Sequence, residues 1–386
     1  MLRFSALLLL MTALIIPAQA QERFDAPTYA HRGDYAVGTM ELTIQDEDRP
    51  LNVTVWYPAN ATPGEEPLVS YPVTGLLRLP GHAYRDAEPL QEDAPYPLIV
   101  FSHGSGGGRA LSLYYTQHLA SQGFIVMAAD HPGNDIAARM GDATDFAVSY
   151  AERPRDLVRQ IDYAADVLNA EDGFFAGMID MENVGVSGHS FGGWTVLSAA
   201  GGRIDFPSLR EYCSAVEDEN TCFMLDLEEE TAAARGFDSV PDAPWEAISD
   251  DRIKAVVALA PWNGPLLELS QVTAPTLIIV GGGDTVTVPE RDAYPIYEAL
   301  QSPKALMTLQ LGNHYMFVDE CPELLVQLGF QYACTDPVWD MARAHDLTNQ
   351  VATAFFRTYL KGDEEAAAAL DPAAVDFPGV VYQSAP

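Results

Sequence analysis

An apolar, strand-like run, Val184-Gly185-Val186, leads into Ser187-Gly188-His189-Ser190-Phe191-Gly192-Gly193 and then into a helix-forming stretch, 194–200. A serine with a glycine two residues away on each side is what a sharp strand-to-helix turn requires. The serine sits in a strained backbone conformation, and a Cβ at Gly188 or Gly192 would meet the neighbouring chain. Such a turn lifts the Ser190 hydroxyl above a sheet edge and aims the first amides of the following helix at whatever the serine attacks.

The rest of the chain supplies the sheet that this turn needs. Two β-like runs, 39–45 and 52–57, read as an antiparallel hairpin at the sheet edge, and 58–95, rich in Pro, Gly and charge, reads as an irregular surface excursion. Alternation then sets in. Apolar strands are expected at 98–102, 124–129, 184–187, 255–259, 276–280 and 305–311, with helices at 110–122, 153–169, 194–200 and 341–359. Strands that are almost wholly apolar and alternate with helices predict an α/β fold, a mostly parallel doubly wound sheet of about eight strands covered on both faces. About fifty residues, 203–254, interrupt the alternation, and they are expected to form a cap over the site within a single domain, 21–386.

The chain begins with Arg3, an apolar run 7–16, Pro17 and Ala18-Gln19-Ala20, the order of a secretory signal peptide, 1–20. No later run reaches about 18 apolar residues, so no membrane span is expected and the protein is read as secreted or periplasmic. A formal net charge of −34, with only three lysines, argues against nucleic acid or an anionic membrane as partner. Four cysteines in an oxidising compartment favour disulfides over metal, with Cys213 to Cys222 and Cys321 to Cys334 favoured among three pairings because each pair brackets a loop-like stretch.

A serine hydroxyl is a poor nucleophile until a base takes its proton, and the base must be held in one tautomer by an acid. His314 lies just past the last strand, where a loop brings it over Ser190, and Asp284 follows the 276–280 strand directly. The chain order Ser190, Asp284, His314 is the one a strand-helix sheet of this kind uses. Asn263, Asp130 and Asp319 mark the neighbourhoods where the acid would otherwise lie, and His131, ending the 124–129 strand, is a candidate for lining the cleft. Negative charge on a tetrahedral intermediate calls for two N-H donors, expected from Phe191 and, in the glycine-rich loop after the 98–102 strand, from Ser105. No lysine is near that loop and the phosphate-binding pattern is absent, so phosphate is not its expected ligand.

Together, Phe101-Ser102-His103-Gly104, Gly188-His189-Ser190-Phe191-Gly192-Gly193, the aspartate after Pro275-Thr276-Leu277-Ile278-Ile279-Val280, and Asn313-His314-Tyr315 resemble the α/β-hydrolase superfamily. Within it the chain is similar to the secreted dienelactone-hydrolase-like and platelet-activating-factor acetylhydrolase-like branch, over roughly 40–360 apart from 203–254, and Arg153-Pro154-Arg155-Asp156 is also similar to members of that branch. The resemblance implies Ser190 as nucleophile, Asp284 and His314 as its partners, and the amides of Ser105 and Phe191 as oxyanion donors. Two departures matter. Dienelactone hydrolases use cysteine where this chain has Ser190, and the acetylhydrolase acid belongs after the strand at 255–259, where this chain has Ala260-Pro261-Trp262-Asn263. Pro261-Trp262 is similar to polyester-cleaving cutinase relatives, whose tryptophan lines the cleft.

The expectation is a carboxylic ester hydrolase working through an acyl-enzyme without metal or cofactor. Phe191, Trp262, Tyr315, Met316 and Phe317 are candidate apolar walls, and the partner is a small or polymeric ester. Acyl transfer to an alcohol, amide cleavage, and a non-catalytic binding protein on the same scaffold remain the alternatives, and the oligomeric state is left open.

Overall fold

The computed structural model describes residues 25–62, 68–74 and 77–386; the signal-like segment 1–20 lies outside the described residues. The strands that form the sheet are β1 (Val37–Ile44), β2 (Leu51–Pro58), β3 (Leu68–Pro72), β4 (Arg78–Arg85), β5 (Tyr96–Ser102), β6 (Ile125–Ala129), β7 (Ile179–His189), β8 (Ile253–Leu259), β9 (Thr276–Gly281), β10 (Lys304–Leu309) and β11 (Val380–Ala385). Their order across the sheet is β11-β10-β9-β8-β7-β5-β6-β2-β1-β4-β3. The six central strands, β10 to β6, run parallel, while β2 and β11 join their neighbours antiparallel.

Among the described residues the sheet therefore has eleven strands where about eight were expected. Two of the additions, β3 and β4, come from the 58–95 stretch, whose prolines and glycines hide a twisted edge pair: β4 joins β1 in parallel and β3 pairs with β4 with a register shift. Edge strands tolerate such residues because only one side of the ladder needs donors. The third, β11, is a half-exposed tail strand with no apolar run to announce it.

Every residue of β5 is buried, and successive side chains serve opposite faces. Leu98 and Val100 pack with Val184, Val186 and Leu157 on one face, and Ile99 and Phe101 pack with Leu119, Val351 and Phe355 on the other. The first face is covered by helices α2 (Phe146–Tyr163) and α3 (Phe191–Ala199), the second by α1 (Leu113–Ser121) and α4 (Met341–Lys361). Helices on both faces leave only the carboxyl rim of the parallel strands free for a site.

The 203–254 segment opens with a two-residue strand paired to Leu267–Glu268, continues through helices Phe206–Ala215 and Glu228–Ala234, and is closed by the Cys213–Cys222 disulfide. Its Phe206, Leu209, Met224 and Trp245 form a third apolar cluster with Tyr150, Phe191 and Trp194. Trp245 and Trp194 are fully buried there, so this segment is packed into the domain.

Candidate active site

Ser190 follows β7 with φ 59° and ψ −119°, a region L-residues avoid, and its neighbours force that geometry. A Cβ on Gly188 would meet the carbonyl of Gly192, and one on Gly192 would meet the carbonyl of Ser102. The turn is tied to the next strand: Ser190 N-H donates to the Leu259 carbonyl at 2.8 Å, and Trp262 N-H donates to the Ser190 carbonyl at 3.2 Å. Ala260, Asn263 and Leu311, which follow the ends of β8 and β10, also have positive φ, so backbone strain gathers at this rim.

His314 begins a 3-10 turn, His314–Phe317, after β10. Its Nδ1-H donates to Asp284 Oδ2 at 2.7 Å, and both side chains are almost wholly buried. Asp284 Oδ1 accepts the N-H groups of Val286 and Thr287 at 2.8 and 2.9 Å, and Thr287 Oγ1 donates to Oδ2 at 2.7 Å. Burial raises the Asp284 carboxyl, but these bonds and the adjacent imidazole outweigh it and hold the group below the usual carboxylate range. His189 supports His314 from behind: its Nε2 donates to the His314 carbonyl at 3.1 Å and its ring lies 4.7 Å from the His314 ring.

Ser190, His314, Ser105 and Gly104 all line one cavity of about 520 Å³, with Val73, Leu77, Leu79, Leu111, Phe146, Trp262, Val286, Tyr315 and Val318 as largely apolar walls. The disulfide loop Cys321–Cys334 adds Pro322, Leu325 and Ala333. No protein partner is found for the N-H groups of Ser105 and Phe191 among the described residues. A ready-made pair of unspent donors beside a serine suits an oxyanion.

Several expected residues lie elsewhere. Met316 and Phe317 are fully buried and do not line the cavity: the 3-10 turn carries them inward, Met316 under Gly312 and Phe317 against the His189 ring at 5.7 Å. The Phe191 side chain is buried among Tyr150, Trp194 and Trp262, leaving only its amide for the site. His131 is buried too, with Nδ1-H donating to Asp156 at 2.8 Å, and lines nothing. The alternative acid neighbourhoods are spent on structure: Asn263 donates to Tyr150 Oη at 2.8 Å, Asp130 pairs with Arg109, and Asp319 accepts the N-H groups of Leu113 and Tyr114 at the start of α1. No residue of 203–254 is among those lining this cavity, and its Phe223 packs on Phe146 and Trp262 at ring distances of 5.4 and 6.0 Å.

Thr287 and the walls Arg139, Thr144, Phe146, Val318, Pro322, Leu325 and Ala333 were not singled out from the sequence. Only the second cysteine pair, falling directly after His314, signalled that a stapled loop would border the site.

Six imidazoles, those of His82, His103, His118, His131, His189 and His345, are held below their ordinary range by burial, His118 and His189 down to about 3 and His345 to about 4. A depressed histidine leaves the unfolded chain binding more protons, so its stability is present above about pH 6.5 and lost as pH falls toward the folded value. Asp292 and Asp319, pushed up to about 6 by burial, act in the opposite sense and offset part of the loss. The expected outcome is a Tm that drops on the order of 10 °C between pH 7 and pH 5, read by thermal scanning, whereas a flat profile would contradict these burial assignments.

Comparison with known proteins agrees with this architecture. A family model described as platelet-activating factor acetylhydrolase, isoform II, matches residues 68–156, and one described as PET hydrolase-like matches 242–328. The first covers the Ser105 loop and the second covers Asp284 and His314. Platelet-activating factor acetylhydrolase of Canis lupus familiaris is 29% identical over 147 residues, which are 29% of this chain and 33% of that protein. The chain thus spans about a third of that relative's length. Bis(hydroxyethyl) terephthalate hydrolase of Streptomyces coelicolor is 25% identical over 57% of this chain and 50% of its own, and Cutinase 1 of Thermobifida cellulosilytica is 23% identical over 61% and 66%. A solved ferulic acid esterase from Streptomyces cinnamoneus superposes with a TM-score of 0.62 at 21% identity, covering 92% of this chain and 98% of that one. The chain shares the α/β-hydrolase fold of that esterase, and the proteins it resembles in sequence are ester hydrolases.

Proposed function

We propose that this protein is an exported carboxylic ester hydrolase in which Ser190 is the nucleophile, His314 the general base and acid, and Asp284 the group that orients His314. The observation that carries this reading is the buried His314 to Asp284 hydrogen bond of 2.7 Å at the wall of the same cavity that Ser190 lines. Ser190 Oγ attacks the ester carbonyl as His314 Nε2 takes its proton, and the oxyanion is met by the N-H groups of Ser105 and Phe191. Collapse releases the alcohol, protonated by His314, and leaves an acyl-Ser190. Water, deprotonated by His314, then attacks the acyl group, and the carboxylic acid leaves.

The apolar walls favour an ester whose acyl or alcohol part is uncharged and hydrophobic. Export is supported by the signal-like residues 1–20 and by two disulfides, and among the described residues no helix is long and apolar enough to cross a membrane. The 203–254 segment is read as a buttress within one domain.

Turnover of p-nitrophenyl esters from acetyl to palmitoyl tests the reading. It expects hydrolysis of at least one chain length, abolished by a fluorophosphonate; a folded protein inert to the whole panel and to the fluorophosphonate would contradict it. Removing the wall staple gives a separate expectation. Cys321→Ser with Cys334→Ser frees a loop whose closure contributes roughly 3 kcal/mol. KM should rise several-fold while kcat stays within about threefold, because the loop borders the cavity without holding Ser190 or His314.

A further inference from the structure

Both oxyanion donors are reached from one buried side chain. Arg153, on α2, is fully buried. Its Nη1 donates to Asn134 Oδ1 at 2.9 Å, and its Nη2 donates to Ser102 Oγ at 3.0 Å and to the His103 carbonyl. Asn134 passes this hold to the donor loop: its backbone carbonyl accepts Gly106 N-H at 3.1 Å and its Nδ2 donates to Ser105 Oγ at 3.3 Å. On the other side the Arg153 guanidinium carbon lies 4.5 Å from the centre of the Phe191 ring, the residue that carries the second donor.

His103 completes the arrangement. Its Nδ1-H donates to the Gly104 carbonyl at 2.7 Å, which also accepts Gly107 N-H at 3.0 Å, and its Nε2 accepts His131 N-H at 3.1 Å. Across a trans peptide the carbonyl of one residue and the N-H of the next point opposite ways. Drawing the Gly104 carbonyl into the network therefore sends Ser105 N-H outward, on the side where Gly104 abuts Ser190: a Cβ on that glycine would lie 3.3 Å from Ser190 Cβ. These bonds require a neutral His103 with its proton on Nδ1, and burial followed by the nearby Arg153 charge keeps both His103 and His131 well below the ordinary imidazole range.

Packing does not explain Arg153. Among the described residues no carboxylate lies within ion-pair distance of it, since Asp156, one turn along α2, pairs with Arg49 and His131. A buried guanidinium held by neutral acceptors costs stability that an apolar side chain would not.

We infer that Arg153 is the positioning residue of the oxyanion hole, setting Ser105 N-H through Asn134 and the His103 to Gly104 contact and seating Phe191 through its ring; this rests on the reading of Ser190 as nucleophile. The test measures kcat per Ser190 titrated with a fluorophosphonate, KM, and affinity for an aryl boronic acid, whose tetrahedral adduct places an oxygen in the hole. Arg153→Met should lower kcat about 100-fold and weaken the boronate by a similar factor while KM moves less than about threefold. Arg153→Lys should restore only part, since one ammonium does not span Asn134 and the His103 carbonyl together.

If the Arg153 variants do not fold, the His103 pair decides. His103→Asn keeps a donor near the Nδ1 position and should stay within about fivefold of the parent in kcat, whereas His103→Leu should fall roughly 30-fold at unchanged KM. Folded Arg153 variants with parental kcat per titrated site, or His103→Asn and His103→Leu falling alike, would overturn the inference. A parent protein whose Ser190 does not label would instead strike the esterase reading itself.

Discussion

Ser190→Ala is expected to lower kcat roughly 10⁶-fold on any ester the protein turns over, which is the cost of losing a nucleophile from a coupled serine-histidine pair. The fold should survive. Ser190 is held by its backbone, through the Leu259 carbonyl and the Trp262 N-H, and no side-chain bond to its hydroxyl contributes to the turn. Alanine has the same Cβ and meets the same positive φ, so Tm should stay within about 2 °C of the parent. Residual turnover near the parental rate in a folded Ser190→Ala protein would remove Ser190 from the mechanism.

The second large effect is expected from Asp284→Asn, about 10⁴-fold in kcat with little change in KM. The reason lies in how the carboxylate is shared. Oδ1 accepts two backbone N-H groups of the following turn, and Oδ2 accepts from Thr287 Oγ1 and His314 Nδ1. An amide has one acceptor oxygen, and keeping the turn leaves its NH₂ facing His314 Nδ1. The imidazole then carries its proton on Nε2 and has no lone pair for the Ser190 proton. Because Asp284 is held below the usual carboxylate range, its own protonation should add no step to the parent's activity profile above about pH 4, and a carboxylate step seen above that pH would contradict the assignment.

The parts of this molecule that were readable in advance are those fixed by local chemistry. The glycines around Ser190 are dictated by backbone approach, and the six parallel strands by unbroken apolar runs, since a strand buried on both faces has no other composition available. What was missed depends on long-range contact. The apolar spacing predicted a helix over 153–169, but α2 begins at Phe146 behind an Asp145 cap and carries Pro154 in its interior. That earlier start is what places Phe146 at the cavity wall and Tyr150 behind it. Met316 and Phe317 looked like walls because they are apolar and follow His314, yet in the 3-10 turn both are fully buried in the core. Nothing local in 203–254 shows that its apolar residues pack with Tyr150, Phe191 and Trp194. Arg153 drew notice only as part of a family-like tetrapeptide, because nothing local shows that its fork reaches Asn134 and His103.

The most direct measurement is mass-spectrometric mapping of a fluorophosphonate adduct alongside residual activity. One adduct is expected, on Ser190, growing in step with the loss of ester turnover and failing to form at a comparable rate in His314→Ala. Ester turnover that persists with Ser190 fully modified would contradict it.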